Sequence, residues 1–172
     1  NKIIGFIGFL LSVLTNVFLV GVVTSFLALF TYPFSIILRS VSWILTGKYL
    51  RRKILYLVGF SVLVFGGLVF LLALGYMRKL KKREEFVSFI VFFWSIYTVL
   101  EALGYTILSK GSRVFSFARV SLVSVVWFYY TLIVNVSFGK SLPAIHIGCL
   151  ILILSAILAA IGFLRMLNET LG

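Results

Sequence analysis

The longest stretch without a charged side chain runs from Ile3 to Leu38 and predicts the first part of the fold. About 20 apolar residues suffice for a helix to cross a bilayer, so this run exceeds one crossing and falls short of two with a loop. Pro33 supplies a break after Thr31 and Tyr32, because proline lacks an amide donor and disfavours helix just before it. The pattern therefore predicts a first span from about Ile4 to Phe30, followed by a shorter helix.

That shorter helix extends from Pro33 to Gly47 and is amphipathic. Its apolar positions recur at intervals of three and four residues, and its more polar positions are Ser35, Arg39, Ser42 and Thr46. A helix of this length that contains Arg39 and Trp43 suits the membrane interface better than the hydrocarbon core. We therefore predict that it lies along the interface.

Four further apolar runs are long enough to cross a bilayer. They are residues 54–77, 86–109, 114–138 and 143–167. Together with the first run they predict an all-α integral membrane protein, a helical bundle of about five transmembrane helices (range four to six) plus the short amphipathic interfacial helix. The whole chain, residues 1–172, is expected to form a single polytopic transmembrane domain.

The composition supports a membrane location. Hydrophobic residues make up 62% of the chain and charged residues 12%, with a mean hydropathy of +1.20. Soluble domains are about 45–50% apolar and about 25% charged, and no water-soluble fold buries so large an apolar excess. We expect a multi-pass integral membrane protein whose surroundings are lipid.

Positive charge dominates the few charged residues, with 16 Lys and Arg against four acidic residues and a net charge of +12. Two basic clusters flank apolar runs, a position in which Lys and Arg orient helices and contact anionic headgroups. This placement favours membrane lipids as partners and argues against nucleic acid. The clusters comprise Lys48, Arg51, Arg52, Lys53, Arg78, Lys79, Lys81, Lys82 and Arg83.

The two clusters conflict with the tendency of basic residues to collect on one face of a membrane. A helix over residues 54–77 would place them on opposite faces, whereas a re-entrant hairpin bending at Gly66 and Gly67 would place them on the same face. A continuous helix satisfies its own amide groups, and non-helical backbone at membrane depth needs protein or water to cover it. We favour the continuous span, with the hairpin as the alternative.

Glu101 and Arg119 each lie inside an otherwise apolar run. They flank the turn near Gly111 at similar distances, so an antiparallel hairpin would bring them to similar depth. Embedded charges usually pair or face water, and we predict an intramembrane ion pair between them. A structural role in holding the hairpin together is favoured over a coupling or proton site. Buried polarity is expected to be almost limited to this pair.

Small residues predict a close helix contact in the last span, at Ser155, Ala156, Ala159 and Ala160. Cys149 follows His146 by three residues, which would suit a nucleophile pair, but no orienting acid is nearby and chance packing is the better interpretation. With one His and one Cys, the sequence predicts no catalytic residues, no metal site and no cofactor.

Function is predicted mainly from this scarcity of polar groups. The favoured hypothesis is a non-catalytic integral membrane subunit or scaffold of a larger membrane complex, with other membrane subunits or further copies of the chain as partners. The alternative is a small oligomeric transporter or channel that uses the Glu101–Arg119 pair, near Tyr97 and Tyr105. An enzyme acting on lipid through Cys149 and His146 is the least favoured.

Overall fold

The computed structural model describes residues 2–20, 25–78, 83–110, 113–138 and 142–170, and this part of the chain is helical without strands. The all-α prediction is therefore confirmed. Seven helices follow one another along the described residues: α1 Lys2–Val20, α2 Ser25–Leu50, α3 Lys53–Arg78, α4 Arg83–Leu108, α5 Val114–Ala118, α6 Ser121–Phe138 and α7 Leu142–Thr170.

Within the described residues, five helical segments are long and apolar enough to cross a membrane, which agrees with the predicted number. They are Leu27–Leu50, Lys53–Gly75, Val87–Leu108, Val114–Leu132 and Ile147–Arg165. The apolar part of α1, Ile3–Leu19, is shorter. At 1.5 Å per residue, α1 is nevertheless about 28 Å long, close to the thickness of a bilayer's hydrocarbon core.

The predicted division of the first apolar run is wrong. α1 ends at Val20, α2 begins at Ser25, and Pro33 lies inside α2. The prediction treated Arg39 as the end of the apolar run, so only one helix seemed to fit before it. Arg39 instead lies near the middle of α2, where neighbouring helices cover most of its side chain, and the run therefore accommodates one helix and half of the next.

The predicted interfacial helix is also absent as a separate element, because residues 33–47 belong to α2. Its amphipathic pattern is real but has the opposite orientation from a helix at a water interface. Ser35 and Ser42 are buried, while Phe34 and Ile37 on the apolar side are among the most exposed side chains. The polar face of α2 therefore points into the bundle and its apolar face points outwards, as expected where lipid is the solvent.

The helices form a closed ring in which neighbours run antiparallel. α1 packs on α2, α2 on α3, α3 on α4, α4 on α6, and α6 on α7; α7 packs back on α1 and closes the ring. The closure contact joins Phe9 and Phe163, whose ring centroids are 5.4 Å apart. α5 precedes α6 and packs on α7.

α3 is one unbroken helix from Lys53 to Arg78, so the re-entrant hairpin is wrong and the predicted continuous helix is confirmed. Gly66 is required for close packing rather than for a bend. A Cβ atom at this position would lie 2.8 Å from Ile36 of α2, whereas a Cβ at Gly67 would meet nothing within 4 Å. Lys53 at the start of α3 and Arg78 at its end consequently lie at opposite ends of the ring.

A side-chain hydrogen bond stabilises the break between α5 and α6. In a continuous helix the amide of Leu122 would donate to the carbonyl of Ala118. Here the Ser155 hydroxyl donates to that carbonyl at 2.7 Å, and Leu122 N–H donates to the carbonyl of Arg119 at 3.0 Å instead. The carbonyl of Ala118 and the amide of Leu122 therefore both have hydrogen-bond partners at the interruption. α6 begins at Ser121.

A polar cavity at the centre of the helical ring

A cavity of about 470 Å³ lies at the centre of the ring. Ligand pockets in proteins are typically about 300–1,000 Å³, so this volume suits a small molecule. Every helix of the ring contributes to its wall: Phe9, Ser12, Thr15 and Asn16 from α1, Tyr32 and Arg39 from α2, Val69 and Phe70 from α3, Trp94, Tyr97, Thr98 and Glu101 from α4, Ser121 and Phe128 from α6, and Cys149, Leu152 and Ser155 from α7.

The cavity is polar at its floor and more apolar towards the end of the ring where α1 ends. Arg39 and Glu101 form the floor, and the wall extends along α4 as far as Ile90. The eleven residue steps from Glu101 to Ile90 correspond to about 16 Å of helix axis. Apolar residues predominate at the far end, including Leu19, Leu29, Ala73 and Ile90.

The floor is an ion pair between Arg39 of α2 and Glu101 of α4, in which Nη2 of Arg39 donates to Oε1 of Glu101. α2 and α4 are not neighbours in the ring, so the pair joins the two helices across its interior. Charged groups taken out of water are costly unless they are paired and hydrogen-bonded. The pair therefore needs further hydrogen-bond partners, and Glu101 has a fuller set of them than Arg39.

Glu101 has partners for both carboxylate oxygens. Trp43 Nε1 donates to Oε2 at 3.1 Å, and the Tyr105 hydroxyl donates to the same oxygen at 3.4 Å. Trp43 can lie this close to α4 because residue 104 is glycine, where a Cβ would lie 2.7 Å from the indole ring. Trp43 and Glu101 are both almost completely buried, so the carboxylate is held inside protein.

Arg39, by contrast, retains hydrogen-bonding capacity. A guanidinium group has five N–H donors. One is directed to Glu101 and one to Ser12 Oγ at 3.4 Å, while Nε has no partner within the described part of the chain. The Arg39 side chain is 12% exposed and that of Glu101 is 2% exposed, so the cation is the more accessible member of the pair.

Two aromatic rings hold the guanidinium in position. The Cζ atom of Arg39 lies 5.0 Å from the centroid of Phe9 and 6.0 Å from that of Tyr97. Arginine is attracted to aromatic faces at these distances, more strongly where water is excluded. The hydroxyl groups of Tyr97 and Tyr32 are 3.1 Å apart, and Tyr32 also donates to the carbonyl of Gly66 at 3.2 Å. This hydrogen-bonded layer links α2, α3 and α4 at the cavity wall.

A packed aromatic cluster closes the ring beneath the floor. Phe115 and Phe163 pack edge to face with centroids 5.3 Å apart, and Trp43 lies 5.8 Å from Phe163. The other members are Phe9 and Tyr105, and all five residues are buried. Phe9 and Tyr105 also line the cavity, so the cluster bounds it next to the ion pair.

The predicted pairing of Glu101 with Arg119 is wrong. Arg119 lies exposed at the break between α5 and α6, where its Nε donates to the carbonyl of Ser116 at 3.2 Å. Similar depth in a continuous helix from residue 114 does not determine which side of that helix faces α4. The break directs Arg119 to the surface, and Glu101 pairs with Arg39 instead.

The remaining predicted site residues lie in several places. The small residues Ser155, Ala156, Ala159 and Ala160 are buried within this chain, with Ser155 bonded to α5. Four exposed basic residues lie where α2 ends and α3 begins: Lys48, Arg51, Arg52 and Lys53. Arg78 ends α3 and Arg83 begins α4, whereas Lys79, Lys81 and Lys82 lie outside the described residues. Cys149 is buried at the cavity wall, and the side chain of His146 lies outside the described part.

The expectation that buried polarity is almost limited to one ion pair is also wrong. Buried polar side chains are numerous among the described residues, and several of them line the cavity, including Ser12, Thr15, Asn16, Thr98 and Ser121. The sequence carries a signal for them, because Ser35, Arg39 and Ser42 form one polar face of a helix. An interfacial helix would turn that face to water, whereas the bundle turns it to the interior.

Three comparisons, with protein-family models, with curated proteins and with solved structures, found no match to this chain.

Proposed function

We propose that this protein is an integral, multi-pass membrane transporter that binds a small solute in the central cavity, against Arg39 and Glu101. The observation that carries the proposal is a cavity enclosed by a ring of apolar helices, floored by a buried ion pair and blocked beneath it by packed aromatic side chains. Ionisable residues inside membrane helices commonly mark the pathways of substrates and ions.

The arrangement resembles one state of an alternating-access cycle. The wall of the cavity extends from the floor towards one end of the ring, while the aromatic cluster separates the floor from the other end. Transport requires that this cluster open when the first side closes. The ion pair joins helices that are not neighbours, so solute binding there would act on α2 and α4 together.

Cysteine accessibility tests this proposal without knowledge of the solute. Thr98→Cys places a thiol on the cavity wall, and Val99→Cys, one residue further along α4, places a matched thiol on the exposed outer face. Both are made in a Cys149→Ser background. A membrane-impermeant maleimide is added to sealed right-side-out and inside-out vesicles, and the rate of labelling is measured.

We expect the thiol at position 98 to react in both vesicle orientations, because a transporter exposes its site alternately to the two sides. The thiol at position 99 should be protected in both, since the outer face contacts lipid. Labelling of position 98 from one side only, or from neither, would contradict transport. A one-sided result would leave a binding site without a transport cycle.

The hypothesis of a non-catalytic subunit or scaffold, with other membrane subunits or further copies as partners, stays a prediction. The small-residue face of α7, which could have offered another subunit a close contact, is buried inside this chain, at Ser155, Ala156, Ala159 and Ala160. Another subunit therefore cannot reach it. We expect the exposed apolar side chains of the ring to contact lipid, and they indicate no particular partner.

A further inference from the structure

Three features of the cavity floor identify the chemistry of a ligand that would fit it, and this inference rests on the proposed function of the cavity. The first is the imbalance within the ion pair. Both oxygens of Glu101 accept hydrogen bonds from the protein, while Arg39 keeps unpaired donors and is the more exposed of the two residues. A ligand at the floor therefore meets donors in excess of acceptors.

The second feature is Ser121, whose hydroxyl is buried at the cavity wall and has no partner among the described residues. α4 and α6 are antiparallel, with Trp94 beside Phe128 and Ser95 beside Tyr129. Continuing this register towards the floor places Ser121 level with Glu101, within about one helical turn. A second donor is therefore present at the depth of the ion pair.

The third feature is the end of a helix. α6 begins at Ser121, so the positive end of its dipole lies at the depth of the floor. The first amides of α6 already donate to backbone carbonyls, for example Val123 N–H to the carbonyl of Val120 at 2.9 Å. The helix therefore contributes its field, and the Ser121 hydroxyl provides the hydrogen bond. Both favour a negatively charged group.

We propose that the solute is an amphipathic monocarboxylate. Its carboxylate accepts hydrogen bonds from Arg39 and Ser121, and its apolar body lies along the wall towards Phe70 and Leu152. A single negative charge fits better than two, because Glu101 already neutralises much of the charge of Arg39. The wall extends about 16 Å along the helix axes, and its far end is lined mainly by apolar side chains such as Leu19, Leu29 and Ile90, which suits an apolar body better than a small hydrophilic anion.

Binding of three matched probes to the wild-type protein in nanodiscs tests this class. Octanoate, octanol and octylamine share an alkyl chain and differ in the head group, and binding is followed by tryptophan fluorescence and by the shift in unfolding temperature. We expect octanoate to bind at least about tenfold more tightly than the other two, because only its carboxylate can accept charge-assisted hydrogen bonds from Arg39. Equal binding of all three, or preference for the amine, would overturn the proposal.

Variants assign the preference to the two donors. Ser121→Ala should weaken octanoate binding several-fold and leave octanol binding unchanged, and Arg39→Gln should abolish the preference altogether. If Arg39→Gln does not fold, the Ser121→Ala variant and the three probes on the wild-type protein are sufficient to test the proposed carboxylate site. Unchanged octanoate preference in Ser121→Ala would exclude the proposed carboxylate position.

These measurements are independent of transport. Preference for octanoate combined with one-sided labelling of position 98 would retain the ligand class and reject the transport function. Two-sided labelling without preference for octanoate would retain transport and reject the ligand class. The two proposals can therefore fail separately.

Discussion

Glu101 of α4 pairs with Arg39 of α2 across the interior of the ring, and not with Arg119, which is much closer in the sequence. Glu101 pairs with Arg39 because of the different surroundings of the two arginines. Arg39 lies between aromatic faces inside the bundle, whereas Arg119 is exposed beside an interrupted helix. The stability of the fold should therefore depend on one of these arginines and hardly on the other.

Glu101→Gln should lower the free energy of unfolding by about 3–5 kcal/mol, because it leaves the buried guanidinium of Arg39 without its counter-ion. Arg119→Gln is the matched control, with an expected change within about 0.5 kcal/mol for an exposed residue. Reversible unfolding in mixed detergent micelles measures both. A loss from Arg119→Gln as large as that from Glu101→Gln would contradict the pairing of Glu101 with Arg39.

Replacing both Arg39 and Glu101 should destabilise the fold less than replacing only one of them. Buried ion pairs replaced by apolar residues of similar volume are often neutral in stability, because neither charge then needs to be desolvated. We expect the double variant Arg39→Met/Glu101→Leu to be more stable than Arg39→Met or Glu101→Leu alone. The double-mutant cycle gives the coupling energy, and a value near zero would mean that the two side chains do not interact.

Trp43 should contribute more than Tyr105 to holding the carboxylate. Trp43→Phe removes the 3.1 Å hydrogen bond to Oε2 and should cost about 1.5–3 kcal/mol, the range for bonds to charged groups. Tyr105→Phe removes only a 3.4 Å contact to the same oxygen, and we expect a loss below about 1 kcal/mol. The reverse order of the two losses in unfolding experiments would be inconsistent with Trp43 as the closer donor to Glu101.

Much of the fold could be predicted because hydrophobicity and length report directly on helices in lipid. α3, α4 and α7 lie close to their predicted bounds. The bounds of the first two helices could not be predicted from the pattern. A charged residue normally marks the end of a membrane-spanning helix, whereas Arg39 lies inside α2. Its burial depends on Glu101 and on aromatic residues from other helices, and such tertiary contacts leave no mark on a local pattern.

The candidate site was predictable only in part, for the same reason. Glu101 was identified because an acid in an apolar run is conspicuous. Its partner required knowledge of which helices face each other across the ring, and periodicity within one helix does not give this. Ser121 owes its position to the break after α5, which depends on a hydrogen bond from Ser155 on a different helix.

The adjacent glycines of α3 offer a last test, because the two are equivalent in sequence and different in surroundings. Gly66→Ala would press a methyl group against Ile36, which is buried and branched at Cβ and so has little freedom to move. Overpacking of this kind costs about 1–3 kcal/mol, and better helix propensity offsets about 1 kcal/mol of it. Gly67→Ala meets no neighbour within 4 Å and should gain up to about 1 kcal/mol from propensity alone. Unfolding of the two variants under identical conditions should therefore move stability in opposite directions. If both alanines lowered stability equally, the two glycines would be serving as a bend, and the unbroken α3 would have to be abandoned.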